Sequence, residues 1–208
     1  MGKMCLIKVN LVECIRALEG KILVTGGAGF IGSHVVDALL ARGEEVIVVD
    51  NFNSYYDPKR KFLNIHSHVQ NKKYILAAVN VDDYSFMQSL FEKHNIKRIV
   101  HLAAKAGVRA SIQDPVGYKI ANIDGTLNLL ELARKYKVDN FVFGSSSSVY
   151  GNSTKVPFSE EDRVDEPISP YAATKRMGEL LCKTYSHLHQ LPISCLRFFT
   201  VYGPRGRP

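Results

Sequence analysis

Apolar positions along this chain gather into short continuous runs, and between the runs they recur at helical spacing. Lys21-Ile22-Leu23-Val24-Thr25 is rich in β-branched residues and reads as a buried strand, followed from Ser33 to Leu40 by a helical pattern. A second run, Glu45 to Val49, ends in Asp50, and Tyr74 to Val79 reads as a third strand. Tyr84 to His94 makes an amphipathic helix, and Arg98 to Leu102 a fourth strand. Asn122 to Tyr136 predicts a long helix, Asn140 to Phe143 a fifth strand, and Ser169-Pro170 the capped start of another helix. The acidic, proline-punctuated stretch from Asn152 to Ile168 is loop. Ahead of all this, Asn10-Leu11-Val12-Glu13 has the shape of a capping box, with Leu11, Ile15 and Leu18 on one helical face. Residues 1–20 therefore read as an N-terminal extension with a short helix, and residues 21–208 as one domain. Strands alternating with helices require a parallel sheet covered on both faces and joined by right-handed crossovers, the doubly wound α/β class.

The turn after the first strand carries glycine at Gly26, Gly29 and Gly32. Such a turn lets a ligand approach the backbone, and the helix after it aims unpaired N–H groups and its positive dipole end at the same place. A pyrophosphate suits it. Any tight strand–helix turn wants glycine, so the spacing gains meaning from Asp50, a little over twenty residues on, where a carboxylate can accept from an adenine-ribose diol.

Composition narrows the partners. The 208 residues suffice for one well-buried α/β domain, and no apolar run approaches a membrane span. The start breaks its apolar run at Lys8, too soon for a signal peptide. Cys5, Cys14, Cys182 and Cys195 are scattered, which fits reduced thiols in the cytoplasm rather than a metal site or a disulfide framework. The net charge of +7 is spread along the chain, and Lys59-Arg60-Lys61 has no aromatic platform beside it. A nucleic-acid partner is not expected; phosphate-bearing small molecules explain the sign equally well.

Catalytic chemistry centres on Ser169-Pro170-Tyr171-Ala172-Ala173-Thr174-Lys175, where Tyr171 and Lys175 stack one turn apart on a helix face. A phenol has an ordinary pKa near 10, so it becomes a base at neutral pH only beside positive charge. Lys175 supplies one such charge. The serine run Ser145 to Ser148, wedged between an apolar strand and Val149-Tyr150-Gly151, reads as part of the site, with Ser146 able to share a hydrogen bond to a substrate hydroxyl.

Six motifs in order, GGAGFIG, VVDNFN, HLAAKAG, SSSSVYG, YAATK and LRFFTVYGP, resemble the extended short-chain dehydrogenase/reductase family. Within it, the chain resembles nucleotide-sugar epimerases of the UDP-glucuronate 4-epimerase type, from about Lys21 to its last residue. The resemblance implies a Rossmann domain holding NAD, with a smaller C-terminal part gripping a UDP-sugar. It assigns Gly26, Gly29 and Gly32, with the backbone of Phe30 and Ile31, to the phosphate turn, and Asp50, Asn51 and Asn53 to the adenosine side. Leu102, Ala103 and Ala104 would lie along the cofactor, with Asn122 and Phe199 near its nicotinamide half. Ser146, Tyr171 and Lys175 would be the catalytic set, the last two also touching cofactor, and Thr200 would face the sugar. The implied reaction is epimerisation at C4 by transient oxidation to a 4-keto sugar. The family commonly pairs through helices such as the one beginning at Tyr171, so Leu180, Leu181 and Tyr185 serve either a homodimer or the core.

The related 4,6-dehydratases carry an aspartate and a glutamate where this chain has Ser147 and Ser148, so elimination lacks its acid and base. Between uronate and glucose the sequence leans to the uronate, with Arg109 a candidate carboxylate partner. UDP-glucose remains the alternative sugar. There are departures: Asn80-Val81 replaces the usual aspartate and aliphatic pair beside the adenine, and Lys105 replaces a commonly uncharged residue. The family also continues past Gly206-Arg207-Pro208 into most of its substrate-binding region. The further alternative is therefore a truncated, non-catalytic NAD-binding module.

Overall fold

The computed structural model describes residues 20–206. The helix expected around Leu11 to Leu18 lies outside the described residues. Six strands form one parallel sheet: β1 (Lys21–Thr25), β2 (Val46–Val49), β3 (Tyr74–Ala77), β4 (Ile96–His101), β5 (Asn140–Ser146) and β6 (Ile193–Phe198). Their order across the sheet is β3-β2-β1-β4-β5-β6, so the chain runs outward from β1 in one direction and then the other. The reversal leaves a crevice at the carboxyl ends of β1 and β4, the place where open α/β sheets take ligands.

Alternation along each strand divides the core. Leu23, Ile47, Ile99, Phe141 and Phe143 pack on one face beneath the helices α3 (Tyr84–Lys93), α6 (Gly125–Lys135) and α7 (Pro170–His189). Ile22, Val24, Val46 and Val48 face the other way, toward Val36 of α1 (Phe30–Ala41) and Ile65 of α2 (Pro58–Ile65). Because both faces are covered, β2 is buried at every position, which is why it reads as an unbroken apolar run.

The sequence expectations differ from the structure at several boundaries. The third strand stops at Ala77, while the fifth runs on to Ser146, because β6 continues the ladder with Ser145 opposite Arg197 and Ser146 opposite Phe198. Helix α2 forms from a stretch read as loop and basic cluster. Asp57 caps it by accepting from the Lys59 amide, and Pro58 opens it. Two short helices, α4 (Val108–Gln113) and α5 (Pro115–Lys119), precede a wide π-helical turn at Ile120–Asp124 that runs into α6. The long helix expected from Asn122 thus begins earlier, at Pro115. No helix among the described residues is long and apolar enough to cross a membrane.

Leu129 sits fully buried between α6 and the sheet. Leu129→Ala is expected to destabilise the domain by about 2–5 kcal/mol, the usual cost of a cavity of this kind, as read from urea unfolding.

Candidate active site

At the end of β1 the chain reverses through Gly26, whose φ of +70° and whose distance of 2.8 Å from a notional Cβ to the Ala103 amide nitrogen leave room for glycine alone. A Cβ on Gly32 would stand 2.1 Å from the Gly26 carbonyl, so α1 seats directly on the turn. Gly29 caps α1 without a side-chain bond, and its first turn carries no acidic residue. The helix end therefore offers backbone donors and a positive dipole end to the crevice.

Asp50 closes the far side of the turn. Its Oδ2 accepts from the Ala28 amide at 3.3 Å, and its Oδ1 from the Phe52 amide at 2.9 Å and from Lys61 Nζ at 3.0 Å. Asn51 donates to Asn80 at 2.7 Å, so the departure at position 80 is tied to the loop after β2.

A buried polar relay braces the crevice floor. The Thr126 hydroxyl donates to the Asn122 carbonyl at 2.6 Å, so its oxygen is free to accept from His101 Nε2 at 2.9 Å. His101 Nδ1 then accepts from the Thr25 hydroxyl at 2.7 Å, and the Thr25 oxygen accepts from the Ala103 amide at 3.2 Å. Burial, reinforced by the Lys175 charge, pushes His101 down to about 3, so the ring is neutral.

The catalytic candidates come from β5 and α7. Ser169 caps α7 by accepting from the Ala172 amide at 3.1 Å. One turn in, Lys175 is buried, donates to the Gly144 carbonyl at 2.7 Å and lies 5.1 Å from the Phe143 ring centroid. Burial lowers its pKa to about 8. Tyr171 meets Tyr118 edge-on, with ring centroids 6.2 Å apart. Ser146 accepts from the Ser148 amide at 3.2 Å and the Ser148 hydroxyl at 2.9 Å. Beneath this set, the Ser145 hydroxyl donates to Glu179 at 2.6 Å. Arg197 clamps the same carboxylate at 2.9 and 3.1 Å, and Arg176 adds a contact at 3.2 Å. Burial would raise the Glu179 pKa, but its bonds to Arg197 and Ser145 outweigh that and lower it.

The glycine turn, Asp50, Ser146, Tyr171 and Lys175 surround one cleft of about 1410 Å³. Of the residues expected from sequence, Gly26, Gly29, Phe30, Ile31, Gly32, Asp50, Asn51, Asn53 and Val81 line it from the glycine-turn side. Leu102, Ala103, Ala104, Ser146, Tyr171, Lys175, Phe199 and Thr200 line it from the other. Two do not. Asn122 is buried one layer back, where it accepts from the Lys105 amide at 2.8 Å and donates to the Lys105 carbonyl and Thr174, each at 3.0 Å. It braces the wall of the cleft instead of lining it. Arg109 is exposed on α4; Val108 lines the cleft, but the next helical residue is rotated about 100° away.

Sequence reasoning missed Lys61, Tyr118, Glu179 and Arg197. Glu179 had a legible signal, being one further turn along the Tyr171–Lys175 face, whereas Lys61 was hidden in a basic cluster that reads as surface. Lys105, the other departure, pairs with Asp114 at 2.5 Å beside the Tyr118 ring. The segment after β6 crosses to α1, where Pro204 accepts from His34 at 2.9 Å and Arg205 pairs with Asp37 at 2.6 Å. Among the described residues no cluster of His, Cys, Asp or Glu could hold a metal ion.

A Rossmann-type sheet with a glycine turn at its switch point and a tyrosine–lysine helix facing the same cleft defines the class. The family model for the NAD dependent epimerase/dehydratase family matches residues 22–208, and the chain belongs to that family. A UDP-glucuronate 4-epimerase of Thermodesulfobacterium geofontis is 46% identical over 189 residues, covering 91% of this chain and 58% of that protein. The crystal structure of UDP-glucuronic acid 4-epimerase from Bacillus cereus, in complex with UDP-glucuronic acid and NAD, superposes with a TM-score of 0.82 at 40% identity, covering 90% of this chain and 59% of that one. A UDP-glucose 4-epimerase of Thermotoga maritima, solved with UDP-glucose, gives 0.79 at 39% identity over 89% of this chain and 57% of that one. The chain thus spans a little over half the length of these relatives.

Charge burial at Lys175 has a thermodynamic signature. Below pH 8 both folded and unfolded chains carry its proton, and folding bears the full desolvation cost. Between pH 8 and 10.5 the folded state gives the proton up first, so stability gains as pH rises. Lys175→Met is expected to raise the melting temperature at pH 7, with the advantage shrinking from pH 8 to 10.5 in scanning calorimetry.

Proposed function

We propose that this chain is the cofactor-binding and catalytic part of an NAD-dependent UDP-sugar 4-epimerase, with UDP-glucuronate the favoured substrate. The observation that carries the reading is that Ser146, Tyr171 and Lys175 open onto the same cleft as the glycine turn.

The residues present fit the dinucleotide. Glycine at Gly26 and Gly32 lets the turn close tightly enough to bring the α1 end to the cleft, that end is free of acidic side chains, and Asp50 stands where a ribose diol is accepted. Gly26, Gly29, Phe30, Ile31 and Gly32 would hold the pyrophosphate, Asp50, Asn51, Asn53 and Val81 the adenosine half, and Leu102, Ala103, Ala104 and Phe199 the remainder. When bound, the oxidised nicotinamide supplies a reversible two-electron acceptor for C4 of the sugar.

The protein's own part is proton transfer and orientation. Tyr171 takes the proton of the sugar 4-hydroxyl, helped by the ammonium of Lys175, whose pKa near 8 keeps it charged at neutral pH. Ser146 hydrogen-bonds the same oxygen, and Thr200 faces the sugar. After the flat 4-keto sugar turns over, its C4 would take the hydride back on the opposite face while Tyr171 returns the proton to O4. Ser147 and Ser148 line the cleft as hydroxyls, which disfavours a dehydratase. The uronate preference rests on the relatives named for that substrate, since Arg109 lies outside the cleft. The Thermotoga structure keeps UDP-glucose as the second reading.

Two copies are proposed to pair through the outer face of α7. Met177 and Leu180 are 44% and 43% exposed there, whereas Leu181 and Tyr185 pack against the core. Leu180→Glu is expected to convert a dimer to a monomer in light scattering; a wild-type monomer refutes the pairing.

The activity test uses this chain, and this chain fused to the remaining C-terminal part of a relative, with UDP-glucuronate or UDP-glucose and product identification by mass spectrometry. Tyr171→Phe is expected to lower turnover by about 10²- to 10⁴-fold while leaving NAD affinity nearly unchanged. NAD binding with turnover in neither form supports a non-catalytic module instead.

A further inference from the structure

Two thiols meet where α7 crosses β6. In the sheet, Cys195 stands opposite Phe143 of β5, and residues paired in register turn their side chains to the same face. That face is the one α7 covers, since Lys175 lies over the Phe143 ring and Gly178 presses against it. The strand positions two before and two after Cys195 agree. Ile193 packs against the core beneath α7, and Arg197 clamps Glu179 on the helix. Cys182, one turn beyond Gly178 on the same side of the helix, is 1% exposed within that core. The two thiols hydrogen-bond each other. Both are free cysteines, and Cys195 is exposed on the edge strand of the sheet, so one thiol of the pair is open to solution.

The pair is asymmetric in the way thiol–disulfide exchange requires. The hydrogen bond from Cys182 lowers the Cys195 pKa, and the same bond, with burial and the Glu179 charge, raises that of Cys182. Cys195 is thus the thiolate that attacks, and Cys182 the thiol held against it to resolve the product. We propose that Cys182 and Cys195 form a reversible modification site, which a low-molecular-weight disulfide converts to a bridge between α7 and β6. The Cys195 thiolate attacks one sulfur of the small disulfide, whose S–S bond breaks and releases one small thiolate. Cys182 then loses its proton and attacks Cys195 Sγ, expelling the second small thiolate as the intrachain bond forms. Both protein thiols are oxidised, and the small disulfide is reduced to two thiols that take up the two protons. The bridge staples β6, whose next residues Phe199 and Thr200 line the cleft, to the helix that carries Tyr171 and Lys175. In a reducing compartment such a bridge is transient, which suits a regulatory link better than a structural one.

The test uses the full chain carrying Cys5→Ser and Cys14→Ser, so that only this pair can react. It is treated with oxidised glutathione without denaturant and followed by mass spectrometry, peptide mapping and thermal melting. Both thiols are expected to disappear with no glutathione retained, and a bridged peptide is expected to join Cys182 to Cys195. The melting temperature is expected to rise by about 5 °C, and dithiothreitol to reverse every change. Adding Cys182→Ser is expected to stop the reaction at a glutathione adduct on Cys195, whereas adding Cys195→Ser leaves the buried Cys182 unmodified. A pair that stays unreacted, keeps a glutathione adduct on Cys195 or bridges only between two chains overturns the proposal. So does a bridge that lowers the melting temperature, or modification of Cys182 in the folded Cys195→Ser chain. Should Cys182→Ser fail to fold, the peptide map of the paired chain and Cys195→Ser, changed only at an exposed position, decide the matter.

Discussion

The shape of the cleft depends on one hydrogen bond, from the buried Lys175 ammonium to the Gly144 carbonyl. It ties α7 to the end of β5, and so sets Tyr171 on the helix against Ser146 on the strand. The helix can come this close because Gly178 lies over the Phe143 ring, where a notional Cβ would stand 2.3 Å from the ring tip. The bond is made at the cost of desolvating a charge, which is why Lys175 holds its proton less firmly than an exposed lysine. One turn on, Glu179 is buried too, but its two arginines and Ser145 compensate it in full. The helix thus carries an uncompensated charge beside the cleft and a satisfied one a turn further on.

A second set of bonds joins the two sides of the cleft. From the Ala103 amide it passes through Thr25, His101 and Thr126 to the Asn122 carbonyl, and the Asn122 amide continues to Thr174 on α7. Each hydroxyl both donates and accepts, and neutral His101 is the only ring state that serves both neighbours. A satisfied network of this kind fixes β1, β4, α6 and α7 in one arrangement.

Much of this was legible in the chain itself. The glycine spacing, the serine run and the Tyr171–Lys175 pair are local patterns within a turn or two, and Asp50 is read from its fixed distance along the same βαβ unit. What was not legible depends on distant partners. β6 escaped because Ser194, Cys195 and Arg197 interrupt its apolar pattern, and only pairing with β5 makes it a strand. Helix α2 escaped because its run of basic residues reads as solvated, although Lys61 turns inward to Asp50. Asn122 was placed at the cofactor and Arg109 at the substrate, yet one lies behind the wall and the other outside it. In both cases the missing information was helical phase, which a motif match does not carry.

Phase is also what the wide turn at Ile120–Asp124 supplies. Gly117 before it and Ile120 and Ala121 at its start line the cleft; after it, Leu129, Leu130 and Ala133 belong to the core. A π-helical turn accommodates one residue more than a regular helix would, swinging everything downstream by roughly 100° about the axis. The same length of polypeptide can therefore wall a binding cavity at one end and seal a hydrophobic interior at the other, without a break in the rod. Removing a single residue there would leave the composition of the helix nearly unchanged and point its leucines at water.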